Sequence, residues 1–109
     1  MSSPPEPKCD VWLCSGRLYF SRAAHETVLA SCPAVALLNR SDAWLLLPLL
    51  AGAGGLQVKQ RNARGDRVVE AQEFFRGQGL EDSPQVRPMV LHDAPATGGY
   101  ELVFDQGTR

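Results

Sequence analysis

The densest charge in this sequence lies in nine residues: Lys59-Gln60-Arg61-Asn62-Ala63-Arg64-Gly65-Asp66-Arg67. Four cations and one carboxylate give the run a net +3, so the rest of the chain carries −4 against a total of −1. A guanidinium presents a fork of N–H donors that matches phosphate and carboxylate geometry. Asn62-Ala63-Arg64-Gly65 reads as a turn between two short strands. On such a hairpin Lys59, Arg61 and Arg67 can share one face, with Arg64 at the tip. Arg17 and Arg22 add two cations from the first half of the chain. These six residues are the candidates for binding an anion, a nucleic acid or an acidic partner. The competing reading is a solvated hairpin tip whose arginines pair with Glu70 or Glu73.

Other residue sets lead to less. Arg64-Gly65-Asp66 spells an adhesion tripeptide, but Gly and Asp in a turn need no further reason. Cys9, Cys14 and Cys32 with His25 or His92 offer metal-ligand chemistry. Structural zinc sites use cysteine pairs two to four residues apart around a tight turn, which Cys9 and Cys14 are not. No metal is expected, and Cys14 and Cys32 read as small core residues. An odd number of cysteines without framework spacing fits reduced thiols in the cytoplasm. His25 and His92 have no nucleophile at a recognisable spacing, and no nucleophile elbow is present. Gly52 to Gly55 lacks the Lys-Ser/Thr of a phosphate loop. No catalytic set and no cofactor site are identifiable.

The elements that position these residues follow from period and punctuation. Asp10–Cys14 and Arg17–Phe20 read as strands around a Ser15-Gly16 turn. Ser21 can cap a helix over Arg22–Ser31, which Pro33 stops. Ala34–Leu38 and Ala43–Leu47 read as apolar strands around Asn39-Arg40-Ser41-Asp42, with Pro48 ending the second. Ala51 to Gly55 is a joint of small residues. The order then recurs. Leu56–Gln60 and Asp66–Val69 are strands, and Ala71–Gln78 is a helix closed by Gly79 in a left-handed cap. Ser83-Pro84 is loop. Val86–His92 is a strand, placed at an edge by Pro88. Ala94–Gly99 is a turn, and Tyr100–Phe104 is the last strand.

The expectation is a β-rich α+β chain. Two similar hairpin–helix–hairpin halves, 10–50 and 56–105, pack into one small barrel-like domain over 10–105, with tails at 1–9 and 106–109. A period near fifty residues fits a duplicated supersecondary unit, with Arg17 and Arg67 at equivalent places. Trp12, Tyr19, Phe20, Trp44, Phe74, Phe75 and Phe104 are expected in one cluster between the halves. Leu45-Leu46-Leu47 is apolar on both faces, as in a strand covered on both sides, either within the fold or against another chain.

The run Ser15-Gly16-Arg17-Leu18-Tyr19-Phe20-Ser21-Arg22, followed by Ala34–Leu38 and Ala43–Pro48, resembles the swapped-hairpin unit of AbrB/SpoVT and MraZ-type proteins. The resemblance covers Val11 to Leu49, and Leu56 to Phe104 more weakly. It implies interleaved hairpins and DNA contacts through Arg17 and Arg22. The chain departs from that pattern at Phe20-Ser21, where the family has Ile-Pro, and at Ala24-His25-Glu26.

With 109 residues, the chain is long enough for one real core, burying roughly 65% of its unfolded surface. It is 44% hydrophobic, 21% charged and 7% aromatic, as soluble globular domains are. A net charge of −1 and a pI near 6.1 exclude a strongly basic nucleic-acid coat, a polybasic membrane anchor and an acidic tail. The apolar stretch Ala43–Leu56 is too short to span a bilayer and is broken by Pro48 and glycines. The functional expectation is a non-enzymatic, cytoplasmic accessory or binding protein that works through a protein partner or self-association, with no membrane role. A DNA-binding regulator using the 59–67 hairpin is the alternative.

Overall fold

The computed structural model describes residues 10–30, 32–40, 43–80 and 85–105. The tails 1–9 and 106–109, Cys9, Ser31, Ser41-Asp42 and Ser83-Pro84 lie outside the described residues. The first hairpin joins β1 (Val11–Cys14) to β2 (Arg17–Phe20). Its turn residues Ser15 and Gly16 both have positive φ, 53° and 75°, the left-handed pair that matches strand twist in two-residue hairpins. A second hairpin joins β3 (Ala34–Arg40) to β4 (Ala43–Leu49). A third joins β5 (Leu56–Gln60) to β6 (Arg67–Glu70), and a fourth joins β7 (Arg87–Ala94) to β8 (Gly99–Phe104). The strands close into one antiparallel barrel in the order β1-β2-β6-β5-β3-β4-β8-β7. Closure removes every sheet edge. The chain is therefore mostly β, and its helical segments are short.

Period-2 alternation sorts the side chains. Val11 and Leu13 of β1, Leu18 and Phe20 of β2, and Val69 of β6 turn inward. Val35, Leu46, Met89 and Leu102 complete the ring. An eight-stranded barrel is just wide enough for its side chains to fill it. Helical segments plug the two ends. α1 (Arg22–Ala24) follows β2 directly and runs on as a π-helical turn over His25–Leu29. Ser21 caps it by accepting from the Ala24 N–H at 3.0 Å, and Ala24 and Leu29 are buried. α2 (Gln72–Arg76) follows β6, which runs antiparallel to β2, and so sits at the opposite end. Phe75 of α2 is fully buried. α2 ends in a Schellman motif. Leu80 N–H donates to Phe75 O at 2.8 Å and Gly79 N–H to Arg76 O at 3.0 Å, with Gly79 at φ 76° as its sequence position predicts.

Several expectations need correction. The helices are shorter than the spans Arg22–Ser31 and Ala71–Gln78. Pro48 does not end β4, and Pro88 does not mark an edge, because β7 pairs with β1 on one side and β8 on the other. Both prolines sit where a ladder has run out. Asp105 N–H donates to Pro88 O at 2.9 Å, and the return bond that proline cannot give would fall one residue past the end of β8. Pro48 faces Val35 of β3, but the ladder of β4 with β8 stops at Leu46–Tyr100. A proline there gives up no ladder bond.

The seven aromatic residues expected in one cluster are divided: Phe20 packs in the barrel core, and the other six form two groups. Trp44, Phe74, Phe75 and Phe104 meet edge-to-face at the α2 end, with centroids 5.0 to 6.0 Å apart. Trp12 and Tyr19 stack on the outer wall instead. Cys14 and Cys32 are half-buried, not core. Among the described residues no helix is long and apolar enough to cross a membrane.

Candidate functional site

The 59–67 segment is organised by one carboxylate. Asp66 is only 8% exposed. Its Oδ1 accepts from the Arg22 backbone N–H at 2.9 Å, and its Oδ2 accepts from Asn62 Nδ2 at 3.0 Å. Arg61 Nη2 and Arg64 Nη2 lie 3.4 and 3.2 Å from the same Oδ2. Asn62 returns the favour through Oδ1, which accepts from the Arg64 and Asp66 N–H groups. This is an Asx-type turn, with Gly65 at φ 97° packed against the Arg22 side chain. The Asn62 hydrogen bond holds the Asp66 carboxyl below its ordinary range, against the opposing effect of burial, and Arg22 N–H, Arg64 and Arg61 add to it. The Asp of Arg64-Gly65-Asp66 is thus turned inward.

The structure places the six candidate cations in three settings. Arg17 Nε donates to Glu70 Oε1 at 2.9 Å across the β2–β6 pair. Lys59, on the same outer face of β5, acts on the same carboxylate. Glu70 is held below its ordinary range first by the Gln72 hydrogen bond and then by Arg17 and Lys59. Arg61 belongs to this outer face too. Trp12 and Tyr19 stack at 5.5 Å and 7°, and the Arg61 guanidinium lies 5.7 and 5.4 Å from the two ring centres. That cation–π cover is worth roughly 0.5–2 kcal/mol. Arg22 and Arg64 form the second setting, beside the hairpin tip. Arg22 Nε also donates to Glu26 at 3.1 Å, an exposed i,i+4 pair.

Arg67 stands apart. Its partners in register are Phe20 and Gln60, and the inward phase of Val69 puts it on the interior side of the wall. Arg17 shares the outer phase of Tyr19, so Arg17 and Arg67 are not at equivalent places. Arg67 lines an open cavity of about 340 Å³ at the α1 end with His25, Gln60 and Cys32. Burial, and then the neighbouring Arg67 charge, push the His25 imidazole below its ordinary value. Sequence reasoning singled out Arg67 but missed this setting. The signal was available: Val69, two residues on, fixes the phase of the strand.

The cysteines and histidines are dispersed. Cys14 ends β1 at the α2 end of the barrel, whereas Cys32 and His25 lie at the α1 end. His92 is exposed on β7. Among the described residues no three His, Cys, Asp or Glu side chains form a group that could hold a metal ion.

Fold and site together define a closed antiparallel barrel, plugged at both ends, with a carboxylate-paired basic hairpin. No family model, no curated protein and no solved structure matches the chain.

Proposed function

We propose that this chain is a non-enzymatic cytoplasmic binding protein that works through protein–protein contacts made by the outer face of β3 and β4. The observation that carries this reading is the second, outward row of leucines. Leu46 is fully buried inside the barrel, so Leu45, Leu47 and Leu49 point outward. Opposite them in register stand Leu38, Ala36 and Ala34, and Leu38 is 42% exposed. Leu50 follows at 72% exposed. Leu47, Leu49 and Ala36 are half-buried beside them, while Leu45 and Ala34 are covered within the chain. Exposed apolar side chains grouped on a barrel wall are the mark of an interaction surface.

The pairing of Arg17, Arg22, Arg61 and Arg64 with carboxylates supports this reading over DNA binding. Cations already neutralised release few phosphate counterions. Strands of four to eight residues are also shorter than the roughly 9–11 that cross a bilayer, which supports a role away from membranes. The swapped-hairpin alternative draws its support from the topology. Exchanging β1–β4 with β5–β8 leaves the set of strand pairs unchanged, as two similar halves related by a pseudo-two-fold axis would.

Light scattering on the purified chain tests the proposal. The expected result is a mass above that of one 11.9 kDa chain, returned to one chain by Leu47→Glu. A monomer that shifts random duplex DNA at low salt, and loses it steeply as salt rises, would overturn the proposal in favour of the DNA-binding alternative.

A further inference from the structure

Every strand of the barrel has a neighbour on both sides, but β3 outruns one of them. It pairs with β4 over its whole length, from Ala34 opposite Leu49 to Arg40 opposite Ala43. It pairs with β5 only at Ala34 opposite Gln57 and Val35 opposite Leu56. Val58 N–H donates to Pro33 O at 2.9 Å, which fixes the phase of that ladder. In an antiparallel ladder a residue turns both backbone groups to one side, and the next residue turns them to the other. Pro33, Val35, Leu37 and Asn39 therefore face the β5 side, and Ala36, Leu38 and Arg40 face β4. β5 meets Pro33 and Val35 and goes no further. Among the described residues no backbone hydrogen bond reaches the N–H or C=O of Leu37 or Asn39.

The gap beside those groups is one strand wide. β5 pairs with β3 on one side and β6 on the other, so β3 and β6 stand two strand spacings apart, roughly 9.5 Å. Where β5 has not begun, that width is a cavity of about 560 Å³. Leu37 is on one wall, Leu56 at the end, and Glu70, Glu73 and Phe74 on the other wall. Glu70 Oε1 already accepts from Arg17 and Gln72, both at 2.9 Å. Glu73 is exposed and, among the described residues, pairs with no cation.

We propose that this slot binds an extended segment of a partner protein, which lies antiparallel to β3, in line with β5, as one more strand. Free N–H and C=O groups at every second residue are the pattern that an added strand matches. The width admits one strand and not a second folded barrel. Leu37 shares the inward phase of the fully buried Val35, so the partner residue opposite it enters beside Leu37, Leu56 and Phe74 and is apolar. Glu73 selects a lysine or arginine in the same segment. The inference rests on the protein-binding reading only in taking the partner to be a polypeptide, and it does not use the outer leucines.

The test is amide NMR on the full chain, free and with a blocked probe peptide of about six residues, the length of a common strand. In the probe, valine and threonine alternate between terminal lysines. In the free chain the Leu37 and Asn39 amides are expected to exchange with solvent at least tenfold faster than those of Ala36 and Leu38, which the β4 ladder holds. The probe is expected to bind saturably and to slow exchange at Leu37 and Asn39 at least tenfold. N-methylation of its alternate amides should weaken it at least tenfold in one phase and not in the other, because only one edge of the added strand meets β3. Glutamate in place of its lysines should weaken it too. Asn39→Pro, which removes a free N–H at no cost to the β4 ladder, should weaken the probe at least tenfold, and Leu47→Glu should leave it unchanged. The methylated peptides are tested on the unaltered chain, so they decide the matter even where Asn39→Pro does not fold. The proposal is overturned if the probe does not bind, if both methylated forms bind as the plain one does, or if Leu37 and Asn39 are already protected in the free chain. Protection that rises with protein concentration would assign the slot to a second copy and overturn it as well. A chain that is monomeric in light scattering yet binds the probe would keep the slot and remove the leucine face.

Discussion

Asp66 accepts the Arg22 backbone N–H at 2.9 Å, a contact that joins the β5–β6 hairpin to the first turn of α1. The first N–H groups of a helix have no partner within it. Ser21 takes the Ala24 N–H, and Asp66, from 44 residues further along the chain, takes that of Arg22. A carboxylate also suits the positive end of the helix dipole. The two parts of the barrel wall and the end plug are therefore fastened at one atom group.

Asp66→Asn should cost about 1–3 kcal/mol at pH 7, since it removes a partly buried charged acceptor from several donors. The pH dependence has a definite sign. The folded carboxyl sits below its unfolded value, so its stabilisation is present above the unfolded value near pH 4 and is lost as pH falls through the folded one. Urea unfolding at pH 7 and pH 3 checks this. The gap between wild type and Asp66→Asn should narrow at pH 3, and a gap that stays constant would contradict the account.

The predicted strand positions agree with the structure to within a few residues, because Val, Leu and Phe alternate and the Ser15-Gly16 and Gly65 turns punctuate them. Three things were hidden. Prolines read as strand ends, because a one-strand view cannot show that Pro48 and Pro88 face beyond a neighbour's last residue. Asp66 read as one carboxylate in a basic run, because its partner Arg22 is a backbone N–H from a distant segment, and backbone donors leave no trace in residue type. Arg67 read as one of a surface set, because charge was weighed ahead of strand phase.

His25 should make stability fall on mild acidification. Burial and Arg67 hold its folded value below the unfolded one, so the unfolded chain takes up a proton first. Stability is full above the unfolded value near pH 6.5 and declines as pH drops from there toward the folded value. Melting curves between pH 5 and 7.5 should show this slope, and His25→Gln should flatten it. An equal slope in both proteins would assign the effect elsewhere.

Gly99→Ala should be among the most damaging single methyl additions. A Cβ at Gly99 would run into the Leu46 carbonyl oxygen and the Leu47 side chain. The obstacle includes backbone of the paired strand, which cannot turn aside, and overpacking of this kind costs about 1–3 kcal/mol. Gly79→Ala meets no atoms within 4 Å and suffers only from its φ of 76°, so about 1 kcal/mol is expected there. Chemical denaturation of the two variants side by side gives the order, and a larger loss at Gly79 would show the β4–β8 contact to be looser than it looks.

Leu45 and Leu46 are neighbours on β4 that face opposite ways, and truncating each separates the core from the outer face. Leu46 is fully buried among the barrel residues, so Leu46→Ala should cost about 2–5 kcal/mol at any protein concentration. Leu45 is 6% exposed yet lies outside that core cluster, beside the 42%-exposed Leu38. Solvent and neighbours can close over a gap on the wall, so Leu45→Ala should cost the monomer about 1–2 kcal/mol. Self-association through this face would add a term that grows with protein concentration, because a partner that binds only the folded chain raises its melting temperature by mass action. The wild type should then melt higher at 100 than at 1 micromolar, about as the mass-action relation requires, and Leu38→Ala, at the 42%-exposed position opposite Leu45, should remove that dependence while Leu46→Ala keeps it. A wild type whose melting temperature does not change with concentration would count against self-association through this face.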